Sequence, residues 1–478
     1  MSKARTLKAE CTPEEARQQR VRHDVELRKS KKSSRLRKLR HIDPDEDAGE
    51  GVSSCSDPGA LMNIVAVLAS SDPNAQAAAV VALRRTLSTK EAPPIDAVLA
   101  SGVLPHLVTL LKARDRPDLQ FESAWALTNL AAGTTEQTEL VAASEAPYAL
   151  VELLRFGTED CKEQALWALG NLAGENARCR DHVLGLSVIE PMLQLAQSTR
   201  VSMLRNMTRT LLNLARGTPP PALELVVPAV PLVQQLTYAQ DEDLVSDACW
   251  TLACLTDNCR TAPELQAVVS PPTALRLVEL LGHLDIAVRA PALRSLGNVC
   301  TGDVSQVLPL LDAGLMRFMD QYLRSSKKEV RVDTCYLLTA VASAGPAEVK
   351  VIVETNLVPL LLSLAHSGDF ESGREAACCL AAAGRAKDAS VIATLISLNI
   401  IPALVLWLDG TRADSRLLLM LISSLYNMIK HEPSPNAHAN LIQLAGCRPR
   451  MEQLLDHENV RVSQAAGVFV DKHIPDDV

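Results

Sequence analysis

Apolar, helix-like runs along the chain close on a polar carboxamide at a fixed interval. Three segments superimpose: Glu122-Ser-Ala-Trp-Ala-Leu-Thr-Asn129, Glu163-Gln-Ala-Leu-Trp-Ala-Leu-Gly-Asn171 and Arg205-Asn-Met-Thr-Arg-Thr-Leu-Leu-Asn213, their terminal asparagines 42 residues apart twice over. The same frame continues through Trp250-Thr-Leu-Ala-Cys254, Arg294-Ser-Leu-Gly-Asn298, Tyr336-Leu-Leu-Thr-Ala340, Cys378-Cys-Leu-Ala-Ala382 and Leu418 to Asn427. After the asparagine comes Gly133, Gly174, Gly217 or Gly302, where the pattern predicts a helix ending in a left-handed cap. A short helix follows. Gly-Val-Leu-Pro (102 to 105) or Asn-Leu-Val-Pro (356 to 359) then places a proline at the start of the next helix.

A period of about 42 residues is that of armadillo and HEAT solenoids. One such unit cannot bury its own apolar face, but a stack of about ten makes a continuous core and a long groove lined by the third helix of every unit. A chain of 478 residues is too long for one compact core. Composition favours the array: aromatic residues are only 3%, which suits helices packed through small and aliphatic side chains better than sandwiches or barrels.

Charge divides the chain. Residues 1 to 42 carry 14 Lys+Arg against 5 Asp+Glu, so the formal net charge of −8 conceals +9 on the arm and −17 on the rest. Such an arm binds something acidic, the body itself being one candidate, and DNA binding by the whole chain is disfavoured. The twelve cysteines show no CxxC pair and no zinc spacing, and Cys249, Cys254 and Cys335 sit among apolar helix residues. They read as reduced, buried small hydrophobes of a cytosolic or nuclear protein. The N-terminus is polar and charged, unlike a secretory signal. The longest uncharged stretch, Val391 to Leu408, contains Asn399 and Pro402 and predicts two short core helices rather than a membrane span.

Within the repeated helix Trp and Asn stand at i and i+4 on one face, giving the pairs Trp125/Asn129 and Trp167/Asn171. For an isolated pair, indoles that fill a core and carboxamides that bond neighbouring backbone are an adequate explanation. Recurrence in register favours another: a ladder of carboxamides bonding the N–H and C=O of an extended peptide. Slots between successive indoles accept the stem of Lys or Arg, by burial and cation–π attraction of roughly 0.5 to 2 kcal/mol each.

Phe121-Glu-Ser-Ala-Trp-Ala-Leu-Thr-Asn-Leu-Ala-Ala-Gly-Thr134 and Glu163-Gln-Ala-Leu-Trp-Ala-Leu-Gly-Asn-Leu-Ala-Gly-Glu175 resemble the second and third armadillo repeats of importin-α. Similarity extends through Asp247-Ala-Cys-Trp250, Pro291 to Asp303 and Leu455-Asp-His-Glu-Asn459, covering nearly the whole chain. The resemblance implies an all-α fold, a right-handed α-α superhelix of about ten armadillo repeats with a basic N-terminal arm. It implies that Trp125, Asn129, Trp167 and Asn171, with Asn213, clamp nuclear localisation signals in a major site. A pocket for one indispensable lysine is implied at Gly133, Thr138 and Glu175, where the family usually has Asp. Asp247 and Trp250 add acidity and a wall further along.

Departures from the family pattern carry their own expectations. Arg209 stands where the fourth repeat normally supplies a Trp, removing one wall and placing a cation beside slots meant for cations. In the minor site Arg294, Asn298 and Glu375 match and Tyr336 replaces a Trp, but Ala340, Cys378 and Ala382 replace the remaining Asn, Trp and Asn. The expectation is weak minor-site binding and a bias toward monopartite signals.

Thr12-Pro-Glu-Glu15 predicts a capped helix start, followed by basic residues at Arg17, Arg20 and Arg22, at Arg28, Lys29, Lys31 and Lys32, and at Arg35 and Arg37. Composition alone leaves an RNA-binding arm or a solvated tail open, although few aromatics interleave the charges for base stacking. Val25-Glu-Leu-Arg-Lys-Ser-Lys-Lys32 closely resembles the importin-β-binding domain of the same family, implying a salt-sensitive interface with an acidic carrier. Lys38 and Arg40 fall in the family's internal signal-like segment, with Leu39 where a basic residue is usual, so autoinhibition of the groove is expected to be present but weaker than usual. His41 to Ala60 is acidic and Gly/Ser-rich, and about 20 flexible residues span roughly 25 Å, enough for the arm to fold back.

Gly446 to Ile474 resembles the last armadillo repeat, where the family's export receptor docks with Ran-GTP; His457, Glu458 and Asn459 are the candidate residues, and a polar capping repeat explains the same region without a partner. No P-loop, nucleophile elbow or metal cluster stands out, so neither catalysis nor a cofactor is expected. The resulting division is a basic arm (1–42), an acidic linker (43–59), a solenoid (60–474) and a short tail (475–478), acting as a shuttling import adaptor in cytoplasm and nucleus. An armadillo signalling or cytoskeletal scaffold is the principal alternative, and an RNA-binding regulator a second.

Overall fold

Helix-capping side chains set the rhythm of the fold. Thr134 and Thr261 each close a capping box, with Gln137 and Glu264 respectively, while Thr158, Asn176 and Asp414 cap their helices by accepting from the backbone N–H three residues on. Each such cap contributes about 1 kcal/mol and fixes where a helix begins. Prolines at the first turn start the helices Leu104–Leu111, Ala146–Phe156 and Val358–Ala365.

The structure, a computed structural model, describes residues 38–41, 58–89, 93–432 and 436–473. The expected capped helix at Thr12 and the basic residues from Arg17 to Arg37 lie outside these residues, as does nearly all of the expected linker. Among the described residues every regular element is a helix. Two compact units divide them, one ending at Asn258 and one beginning at Cys259.

In the first unit the long helices Pro73–Leu87, Pro117–Leu130, Glu159–Ala173, Val201–Ala215 and Glu242–Asn258 pack each on the next. In the second, Ile286–Cys300, Lys328–Ala344, Phe370–Ala383, Ser415–Lys430 and Val460–His473 do the same. Between them run the shorter helices of each repeat, and Leu, Val, Ile and Ala fill the core. Trp407, fully buried, belongs to this core and donates its indole N–H to the Ala365 carbonyl at 3.0 Å. The uncharged stretch forms two helices, Ala389–Ser397 and Ile400–Leu406, bent by 81°; among the described residues no single helix is long and apolar enough to cross a membrane. The ten described cysteines are free, and nine of them are buried.

The expected left-handed caps are corrected at three of four glycines. Gly217 alone has φ of +120°, whereas Gly174 ends its helix at φ −74° and Gly133 and Gly302 lack positive φ. The left-handed residues stand instead at Gly102, Ser187, Gly314, Asn356, Asn399 and Gly446. These six all lie in the turn that leads into the next short helix. Gly133 is small for a different reason: a Cβ there would meet the Gln137 side chain, which is held in its capping box, at 2.2 Å.

Close approach of neighbouring repeats depends on Gly170, where a Cβ would stand 2.5 Å from Thr210 Oγ1. That hydroxyl donates to the Asn206 and Leu166 carbonyls. Gly170→Val overpacks this contact and is expected to destabilise the first unit by about 1 to 3 kcal/mol, read as a lowered urea midpoint; an unchanged midpoint contradicts the close-packing account.

Candidate peptide-binding groove

The repeat spacing puts Trp125/Asn129 and Trp167/Asn171 on adjacent helices, and each asparagine is rooted in the repeat before it. Asn129 Nδ2 donates to Ser88 Oγ at 3.0 Å, Asn171 Nδ2 to the Thr128 carbonyl at 3.0 Å and Asn213 Nδ2 to the Gly170 carbonyl at 2.7 Å. One amide hydrogen so used leaves the second N–H and the carbonyl oxygen of each carboxamide for another partner.

At Asn129 and Asn171 that partner is the chain's own segment 38–41. Asn171 accepts from the Leu39 N–H at 3.0 Å and donates to the Leu39 carbonyl at 2.8 Å, joined there by Trp167 Nε1 at 3.0 Å. One repeat earlier, Asn129 accepts from the His41 N–H at 2.7 Å and donates to its carbonyl at 2.9 Å, again with an indole, Trp125 Nε1, at 2.9 Å. Alternate residues meet successive asparagines, as the period of two in an extended chain requires. The segment runs opposite to the order of the repeats.

Lys38 occupies the pocket. Its ammonium donates to the Gly133 carbonyl at 2.5 Å, to Thr138 Oγ1 at 3.0 Å and to the Glu175 carboxylate. Thr135 Oγ1 bonds the other Glu175 oxygen at 2.6 Å and aims the longer acid, while Thr138 is oriented by the Thr134 carbonyl. Three donors on the ammonium thus meet a carbonyl, a hydroxyl and a carboxylate. The Arg40 guanidinium reaches the Leu87 and Thr89 carbonyls, at the C-terminal end of Pro73–Leu87 where the helix dipole favours cations.

The remaining residues expected in the major site lie beyond these contacts. Arg209 Nε stands 3.9 Å from the largely buried Asp247 carboxylate, so the cation that replaces an indole also compensates the acid meant to attract a ligand. Trp250 is half-buried.

Several contributors were not singled out beforehand. His41 stacks between both indoles, with ring centroids 3.7 Å from Trp125 and 4.6 Å from Trp167. Gln164 bonds its Nδ1 at 2.9 Å. Arg84 lies 4.3 Å over the Trp125 ring and pairs with Glu122 at 2.7 Å. The signal for Gln164 was present, since it stands three residues before Trp167 and faces the same way.

In the second unit Arg294, Asn298, Tyr336 and Glu375 are all buried to nine-tenths or more. Arg374 bridges Glu375 at 2.5 Å and Asp414 at 3.0 Å, and these acids hold the guanidinium pKa further above its ordinary value. Burial, reinforced by Glu375, pushes the Cys378 thiol up to about 12, so the residue at an indole position is a neutral thiol.

An armadillo/β-catenin-like repeat model matches residues 92–132 and 134–174, and an importin-β-binding domain model matches residues 5–81. Importin subunit alpha-1b of Oryza sativa subsp. japonica is 33% identical over 423 residues, covering 86% of this chain and 78% of the relative. Importin subunit alpha-5 of Arabidopsis thaliana is 32% identical over 475 residues, covering 96% and 90%. An engineered protein of known crystal structure superimposes with a TM-score of 0.76 at 26% identity, covering 87% of this chain and 99% of that one. Fold and groove together define an armadillo-repeat protein that holds an extended segment by its backbone. With the arm that precedes that segment, the chain belongs to the importin-α family, nuclear import adaptors that bind importin-β through the N-terminal arm.

Asn171→Ala removes both backbone clamps at one rung and leaves the Thr128 carbonyl without this donor. Affinity for a lysine-rich signal peptide is expected to fall by about 1 to 3 kcal/mol, five- to a hundredfold, in fluorescence anisotropy; unaltered affinity removes the ladder from recognition.

Proposed function

We propose that this chain carries proteins bearing basic nuclear localisation signals, that Trp125, Asn129, Gly133, Thr138, Trp167, Asn171 and Glu175 hold the signal, and that residues 38–41 compete for the same groove until importin-β takes the arm. The observation behind this reading is the Lys38 ammonium bonded to Gly133, Thr138 and Glu175 while Asn129 and Asn171 bond the backbone beside it. A cargo lysine satisfies the same three acceptors, so cargo and arm exclude one another. The carrier-binding part is the run Arg17, Arg20, Arg22, Arg28, Lys29, Lys31, Lys32, Arg35 and Arg37, where phosphate or carboxylate-rich surfaces find many charge-assisted partners.

The same reading divides the chain at residues 42, 59 and 474, into arm, linker, solenoid and tail. It makes the chain a shuttling binding protein of cytoplasm and nucleus, neither an enzyme nor a nucleic-acid binder, with an export receptor and Ran-GTP docking near His457, Glu458 and Asn459. The minor site, at Arg294, Asn298, Tyr336 and Glu375, is weak: Arg374 already compensates Glu375, and a neutral thiol at Cys378 offers no ring face to a cation.

Deleting residues 1 to 42, or substituting Lys38→Ala in the full chain, is expected to raise cargo-peptide affinity about tenfold or more, because a charge-assisted hydrogen bond contributes about 1.5 to 3 kcal/mol. Equal affinities overturn the competition. A two-cluster signal and the same signal lacking its first cluster are expected to bind within about threefold, less than one hydrogen bond's worth; a gap of a hundredfold restores a working minor site.

A further inference from the structure

We infer that the slot between Trp125 and Trp167 selects an imidazole side chain three residues after the pocket lysine, and that Gln164 is the residue that makes the selection. This rests on the reading that segment 38–41 and cargo share one groove, and it names the chemistry that groove prefers.

Two observations carry it. The His41 ring lies nearly parallel to both indoles, at interplanar angles of 14° and 17°, so a flat ring fills the slot on both faces. Such stacking adds to simple burial. At the ring edge Gln164 Oε1 stands 2.9 Å from Nδ1.

The orientation of that amide follows from its other bonds. Thr128 Oγ1 donates its one hydrogen to the Ala124 carbonyl at 2.9 Å, so it accepts from Gln164 Nε2 at 2.6 Å. Gln164 therefore presents oxygen to the slot, and Nδ1 must carry a hydrogen, a requirement met by the imidazolium and by one neutral tautomer.

Geometry then excludes other side chains. The donor must sit two bonds beyond Cβ and belong to a ring. Phenylalanine supplies the ring without the donor, asparagine the donor without the ring, and lysine carries its ammonium two bonds too far to bond Gln164. With Arg40 bonded to the carbonyls closing Pro73–Leu87, the segment best suited to this groove reads lysine, any residue, arginine, histidine.

The test uses the full chain carrying Lys38→Ala, which frees the lysine pocket, titrated with labelled peptides of its own residues 34 to 45. The parent peptide is expected to bind most tightly, with His41→Phe about three- to tenfold weaker and His41→Asn and His41→Lys weaker still. When the receptor also carries Gln164→Leu, His41 and His41→Phe peptides are expected to bind within twofold of one another. A His41→Lys peptide binding as well as the parent overturns the selection, and so does an unchanged ratio in the Gln164→Leu receptor. The peptide series alone decides the preference without altering the receptor further. A Lys38→Ala peptide separates the two levels: if it binds as well as the parent, the shared-groove reading falls and this inference with it, whereas a sharp loss beside an equal His41→Lys peptide defeats the imidazole preference alone.

Discussion

The double engagement of the groove asparagines is the constraint on which the first unit depends. Asn129, Asn171 and Asn213 each spend one amide hydrogen on the preceding repeat, so the spacing of the repeats and the spacing of the rungs are set by the same bonds. A carboxamide is the only ordinary side-chain head that then still offers a donor and an acceptor to a peptide. Each tryptophan one turn earlier adds a second donor to the same carbonyl, at Leu39 and at His41. Recognition is therefore indifferent to sequence along the backbone, and side-chain preference is confined to the pocket, the slots and the helix end that holds Arg40.

Most of this architecture was legible because the repeat advertises itself: a 42-residue period, proline starts and an asparagine closing each helix identify the elements before any fold is seen. Glycine was the misleading signal. At Gly133 and Gly170 the lack of a Cβ serves close packing against Gln137 and Thr210, and nothing in a single sequence separates that need from a left-handed turn. The left-handed turns fell partly on Asn356 and Asn399, whose short amide side chains tolerate that conformation.

At the site, residue type and register revealed the Trp/Asn ladder and the lysine pocket, but not what depends on neighbours from other repeats. Arg84 gains its place over Trp125 only when two repeats stack. The compensation of Asp247 by Arg209 and of Glu375 by Arg374 likewise arises in space. Arg209 was conspicuous as a departure from pattern; its carboxylate partner was not. Acidic residues that look inviting in sequence are in both units partly answered by the protein itself.

The direction in which segment 38–41 lies has a mechanical corollary. Lys38, the most firmly held of the four residues, is also the one nearest in sequence to the basic run ending at Arg37. A protein that grips that run and draws it away loads the lysine anchor first, and the stacked histidine only afterwards. Peeling from the strong end makes release abrupt: while the anchor holds, the segment stays, and once it yields, the weaker rungs have no reason to linger.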